Sequence, residues 1–310
     1  MPPSEPDLLE RVRAGGLLDP PAPLVVMLSG GRDSVCMLDL AVRARGPAAV
    51  RALHVNYGLR AEAGEDQRHC ELLCADLEVE LAAERAVRPH GAGNLQAWAR
   101  DTRYAAAVRL AEPDGATILT GHTADDQVET ILYRLASSPS RRALLGMRPH
   151  DGILARPLLA TTRAETTAYC ERRDLGWRED ASNADPAFAR SRVRHGLLPA
   201  LEAVHPAARE NVLRTAAILR EEAEVLDALV AAELRRGRIA LARFRELAPA
   251  LRRLVLQRLA DGAAGRPLAG ASRFADQVAG LRETGIARLD LGGGVRAVVE
   301  RGELRAERDS

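Results

Sequence analysis

Two stretches hold most of the side chains able to do chemistry. One is Ser29-Gly-Gly-Arg-Asp-Ser34, which follows the apolar run Pro23–Leu28; the other is Gly121-His-Thr-Ala-Asp-Asp-Gln-Val-Glu-Thr130. In the first, Gly30 and Gly31 permit backbone angles that side chains forbid and leave room for close approach. Residues 35–43 have helical composition and spacing, so the turn aims backbone N–H groups and a positive dipole end at one point. That point suits an anion, typically phosphate. Asp33 would repel such a ligand unless a metal or a cationic substrate stood between them.

The second stretch starts a helix near Thr123, with Gly121 and His122 at its entry. Asp126, Glu129 and Thr130 fall at i, i+3 and i+4 and share a face, with Asp125 alongside. N-capping accounts for one of these acids but not for two adjacent Asp with a His and a Glu beside a phosphate loop. Carboxylates facing polyphosphate call for Mg²⁺, and Asp33 and Asp126 are the candidate ligands. One His without a nearby Cys makes a poor transition-metal site. Neither serine has a G-x-S-x-G frame and G-x-G-x-x-G is absent, which weighs against a serine hydrolase and a dinucleotide site.

These loops need a scaffold, and the first half of the chain supplies its pattern. Strands fit 23–28, 49–55, 81–87 and 116–120; helices fit 35–45, 62–77, 95–111 and 123–136. The alternation predicts βαβ units on a parallel sheet with helices on both faces, an α/β fold whose ligand sits beyond the carboxyl ends of the strands. Both loops follow strands, as does His54-Val-Asn-Tyr-Gly-Leu-Arg60. Asn183-Ala-Asp-Pro186 reads as a turn ahead of an Arg-rich helix with Arg190, Arg192 and Arg194. A strongly helical stretch over 206–235 leads to a smaller, mainly helical C-terminal domain. The boundaries are thus 1–205 and 206–310, and the alternating tail around Gly292–Gly294 reads as a short hairpin.

The 310 residues carry a net charge of +1, and every cation is Arg, with no Lys anywhere. A Walker A loop needs Lys, so that class of phosphate site is excluded. Near-neutral charge argues against broad non-specific nucleic-acid binding and leaves room for a local Arg surface. No apolar run approaches a membrane span, the N-terminus lacks a signal-peptide core, and four scattered cysteines fit a reducing cytoplasm.

Ser29–Ser34 resembles the SGGxDS loop of the PP-loop, or N-type, ATP pyrophosphatases. Together with HVNYGLR (54–60), GNLQAWARDTRY (93–104), GHTADDQVET (121–130), RPLL (156–159) and WREDASN (177–183), it resembles the tRNA(Ile)-lysidine synthetase family from about residue 23 to 205. The resemblance implies ATP-dependent adenylation of the wobble cytidine of tRNA(Ile) with release of pyrophosphate. Attack by the ε-amine of free L-lysine then expels AMP. It implies ATP and Mg²⁺ as cofactors, with His54 flanking the adenosine and Arg100 and Arg103 stabilising developing charge or holding RNA phosphate. His122 and Asp126 would position phosphate, metal or amine, and Arg190 and Arg194 would close over nucleotide or tRNA. A homodimer stays open. Tyr57 stands where the family usually has a second His, Ser137–Met147 replaces a glycine-rich stretch, and Ser191 replaces an Asn. These departures bear on the acceptor. The alternative is a divergent adenylating ligase acting on another base or on a small-molecule amide or carbonyl.

Overall fold

The computed structural model describes residues 5–59, 62–89, 93–138, 141–179 and 187–309; Arg60, Pro139 and the Asn183–Pro186 turn lie outside them. The chain divides into two compact units, Met1–Ala217 and Ile218–Ser310.

In chain order the first unit contains α1 (Glu5–Ala14), β1 (Leu24–Met27), α2 (Arg32–Arg45), β2 (Val50–Asn56), α3 (Ala63–Asp76), β3 (Glu80–Arg85) and α4 (Leu95–Ala111). There follow β4 (Thr117–Leu119), α5 (Ala124–Ser137), the single turn α6 (Arg141–Leu144), β5 (His150–Asp151), β6 (Leu154–Ala155) and α7 (Arg163–Arg172). The short helices α8 (Ala189–Arg192) and α9 (Leu198–Val204) flank a π-helical turn over Val193–Leu197, and α10 (Ala208–Glu233) starts here and ends in the second unit.

The sheet order is β3-β2-β1-β4-β6-β5, parallel except for β5 at one edge. β1 is buried along its whole length, and its alternate side chains feed two cores. Leu24, Val26 and Leu28 pack with Val35, Leu38, Cys70 and Tyr169 on one face, while Val25 and Met27 pack with Ala106, Ala107 and Ala111 of α4 on the other. Helices therefore cover both faces, as the βαβ pattern predicts. The pair β5–β6 has no counterpart in the expected strands: each is two residues long, too short for a period-2 signal.

Sequence order reverses beside β1, since the chain steps outward to β2 and β3 and then crosses back to β4. The carboxyl ends of β1 and β4 thus border the crevice where α/β sheets of this topology hold ligands. Both reactive stretches begin there.

The second unit holds β7 (Ile239–Ala240), α11 (Leu241–Glu246), α12 (Pro249–Ala264), α13 (Ala275–Ala279), β8 (Ile286–Gly292), β9 (Val295–Glu300) and β10 (Glu303–Arg308). The tail expected to be a hairpin contributes three strands to a four-stranded antiparallel sheet, ordered β7-β10-β9-β8. Phe244, Leu256, Val295, Val299 and Leu304 form the centre of its core. No helix among the described residues is long and apolar enough to cross a membrane.

Candidate active site

Three helices around the crevice have side-chain caps. Asn94 accepts the amides of Gln96 and Ala97 at α4, while Thr123 with Asp126 at α5 and Thr162 with Glu165 at α7 form capping boxes. α2 differs: its N-cap is Gly31, extended at φ −78° and ψ 154°, with no side-chain cap. Ser34 Oγ donates to the Gly31 carbonyl at 2.7 Å and accepts the Ser29 amide at 3.1 Å, and Ser29 Oγ lies 3.0 Å from it. The two hydroxyls brace the turn internally. Among the described residues, the amides of Gly30, Arg32 and Asp33 have no protein partner. Gly30 sits at φ +83° with α3 behind it, where a Cβ would come 3.3 Å from Cys70 Sγ. Spare amides at a helix N-terminus form an anion cradle.

Asp33, in the first turn of α2, accepts a 2.5 Å hydrogen bond from Thr166 Oγ1 of α7 and a 3.2 Å one from Arg32 Nε. Its other oxygen, Oδ2, lies 3.9 Å from Arg163 Nε. Gly121, at the end of β4, touches the same turn: a Cβ there would lie 2.6 Å from the Asp33 carbonyl oxygen and 3.0 Å from the Ser34 amide. Absence of a side chain at Gly121 is what lets the two reactive stretches meet.

On α5, Asp126 Oδ2 accepts the Thr123 amide at 2.9 Å and its hydroxyl at 3.0 Å, and Oδ1 lies 3.3 Å from an Arg163 nitrogen. Burial pushes the Asp126 carboxyl up, but the Thr123 amide, His122 and Arg163 outweigh it and hold the group below the usual carboxylate range. Glu129, buried, takes a bidentate pair from Arg194 at 2.6 and 3.1 Å and approaches Arg163 at 3.5 Å. Thr130 Oγ1 accepts from Arg190 at 3.5 Å. Asp125 points elsewhere: it accepts the Arg163 amide at 2.7 Å and pairs with Arg209, tying α5 to α7 and α10.

Arg163, like Thr166, is a residue that sequence reasoning missed. Its guanidinium stands between Asp33, Asp126 and Glu129. The Thr162-x-x-Glu165 capping signal marks where α7 begins, and Arg163 follows that cap; nothing in its spacing discloses the acids it meets across the fold.

His122 is half-buried, with Nδ1 2.7 Å from Thr120 Oγ1. Burial, reinforced by Arg156, Arg103 and Arg190 against the opposing pull of Asp126, brings its pKa down to about 4, so the ring is neutral at pH 7. His54 is buried and also neutral at that pH, since burial lowers its pKa, and Nδ1 lies 3.0 Å from the Leu28 carbonyl where β1 ends. Arg100 and Arg103 flank the Tyr104 ring at 4.8 and 6.0 Å, and Arg103 Nε is buried without a partner. Tyr57 stacks edge-on against Trp98 at 5.7 Å and donates to the Ala99 carbonyl, which fixes it to α4. The candidate residues thus form a cradle at Ser29–Ser34, an acid and guanidinium knot at Asp33, Asp126 and Glu129, and a cationic wall beside His122.

A family profile described as a PP-loop domain matches residues 10–201. A tRNA(Ile)-lysidine synthase of Thermus thermophilus is 42% identical over 222 residues, covering 70% of this chain and 43% of that protein. One from Pseudomonas aeruginosa is 41% identical over 218 residues, covering 68% of this chain and 49% of its own length. The chain therefore spans less than half the length of these relatives. A U34-tRNA thiolase of Methanococcus maripaludis, solved with its [4Fe-4S] cluster, aligns over 70% of this chain and 78% of its own with a TM-score of 0.58 at 19% identity, a likeness of fold. With its glycine turn at the switch point and a matching profile over most of its length, this chain belongs to the PP-loop domain family.

Proposed function

We propose that this chain is a tRNA(Ile)-lysidine synthetase: it adenylates the wobble cytidine of tRNA(Ile) with ATP and then joins lysine to that base. The observation that carries the reading is the contact of the uncapped α2 turn, through Gly121 and Thr166, with the acids and arginines of α5 and α7. The names and about 40% identity of the curated relatives support the choice of acceptor.

In the first step the C2 oxygen of the cytidine attacks the α-phosphorus of ATP, and the bond to the β-phosphate oxygen breaks. The Gly30, Arg32 and Asp33 amides would receive the pyrophosphate leaving group, and Arg103 would offset charge at the α-phosphate. Asp33 suits Mg²⁺, because among the described residues Oδ2 meets only Arg163, at 3.9 Å, and Mg²⁺ typically takes one or two carboxylates plus phosphates. When bound, the metal would neutralise phosphate charge. Asp126 has both oxygens engaged and fits better as an anchor for a cationic substrate. In the second step the lysine ε-amine attacks C2 and AMP leaves. The ammonium first gives up a proton, and the groups on this face able to accept it are neutral His122 and the Asp126 carboxylate. His54 would border the adenosine, and the reaction belongs in the cytoplasm, where tRNA is the substrate.

Incubation with labelled lysine, ATP–Mg²⁺ and tRNA(Ile) bearing a CAU anticodon tests this. Pyrophosphate, AMP and label on the RNA should appear together, and only with tRNA present. Pyrophosphate release without tRNA would favour a small-molecule acceptor, and no pyrophosphate under any condition would refute the reading.

A further inference from the structure

The cationic wall beside His122 extends beyond the arginines used above. Gly146, Met147 and Arg148 present three consecutive carbonyls, and each is held by a side chain. Arg134 of α5 donates to Gly146 at 2.8 Å, Gln127 to Met147 at 2.9 Å, and Arg156, just after β6, to Arg148 at 2.6 Å. One short segment therefore fixes two guanidinium groups from different elements. Arg190 joins them through Thr130, one turn before Arg134 on α5. Among the described residues, Arg100, Arg103, Arg134, Arg156 and Arg190 pair with no carboxylate, in a chain with 43 acids. Arg156 is only 6% exposed, and its Nε is buried with no partner. Burial, and after it the nearby Arg100, Arg190 and Arg156, lowers the Arg134 pKa. Arg156 is buried and Arg134 half-buried, and holding like charges there without counterions is costly unless an anion completes them.

Nor is that anion the triphosphate at the glycine turn. Arg134 lies eight residues along α5 from Asp126, about 12 Å of helix rise. Arg156 follows a strand two places from β1, about 10 Å across the sheet. We propose that Arg134 and Arg156, braced on the Gly146–Arg148 segment, form with Arg190 a second anion subsite that holds a backbone phosphodiester of the RNA adjoining the reacting nucleotide. The proposal rests on the RNA-acceptor reading and assigns residues that reading does not use. Its chemical basis is fixed guanidinium forks that recognise phosphate bidentately.

The test is fluorescence anisotropy of a labelled anticodon stem–loop RNA over a salt series, alongside ATP binding, for the wild-type chain and for R134Q, R156Q and R134K. R134Q and R156Q should each weaken RNA binding about tenfold at low salt and reduce the slope of log K against log[salt] by about 1. ATP affinity should hold, and R134K should keep the wild-type slope. An unchanged slope in both Gln variants would overturn the proposal, as would a parallel loss of ATP affinity or failure of the wild-type chain to bind RNA. If R134Q and R134K weaken RNA binding alike with the wild-type slope, the defect is structural and the proposal fails. Should the wild-type chain transfer lysine to tRNA while the Gln variants bind normally, this inference fails alone. Should it transfer none while the slopes still fall, the subsite stands and the acceptor assignment fails.

Discussion

Gly121→Ala isolates the contact on which the site depends. The new methyl would lie 2.6 Å from the Asp33 carbonyl oxygen, 2.8 Å from its carbon and 3.0 Å from the Ser34 amide, all backbone atoms of the first turn of α2. No rotamer change relieves it, so the end of β4 and the start of α2 must part by about 1 Å to reach ordinary contact. Overpacking of this kind costs about 1–3 kcal/mol, which for a unit of this size lowers Tm by roughly 5 °C. The same displacement separates the amide cradle from His122 and Thr123, and a shift of about 1 Å in a reacting geometry costs on the order of a hundredfold in rate. The assay is tRNA-dependent pyrophosphate release beside a thermal melt. Gly64→Ala is the control: a Cβ there meets nothing within 4 Å inside α3, so the substitution should be neutral or stabilise by about 0.5 kcal/mol. Wild-type turnover and Tm in Gly121→Ala would refute the claim that this approach builds the site.

Other outcomes follow from the same geometry. Thr166→Val removes the 2.5 Å donor to Asp33 at a fully buried position; it should cost about 2 kcal/mol in urea unfolding and raise the KM for ATP–Mg²⁺. Glu129→Gln leaves Arg194 and Arg163 facing a neutral acceptor and should destabilise the fold by about 3 kcal/mol, read as a lower urea midpoint at unchanged m-value. His122 binds a proton near pH 6.5 when unfolded but only near pH 4 when folded, so the unfolded chain takes up more protons between those values and stability falls as pH drops through them. The loss is about 3 kcal/mol, Asp126 adds to it as its carboxylate protonates at still lower pH, and His122→Gln should flatten the pH 6.5 to 4 limb of urea unfolding.

Legibility in the sequence followed the range of the interactions. α2, α5 and the turn between β1 and α2 were readable because glycines, caps and helical spacing are local signals. The shared face of Asp126, Glu129 and Thr130 was equally readable, since helix geometry alone puts them together. Arg163 and Thr166 were not. Each reaches the site across a strand crossing or a helix junction, and no spacing rule links positions 33 and 166. Asp125 shows the opposite limit: adjacency to Asp126 suggested a shared task, but a one-residue step turns it about 100° around the helix, toward the α7 amide and Arg209. The antiparallel sheet of the second unit was only half visible, because the alternation around Gly292–Gly294 marks strands without disclosing the short partner at Ile239–Ala240.

From Ser34 to Ala41 every residue of α2 is buried. A helix wrapped on all sides has no wet face from which to unwind, so its amides should exchange with deuterium only when the whole unit opens. The amide cradle at the glycine turn is then welded to the slowest-exchanging part of the protein. Any give around the crevice is left to the surrounding segments that carry Arg163, Arg190 and Arg194.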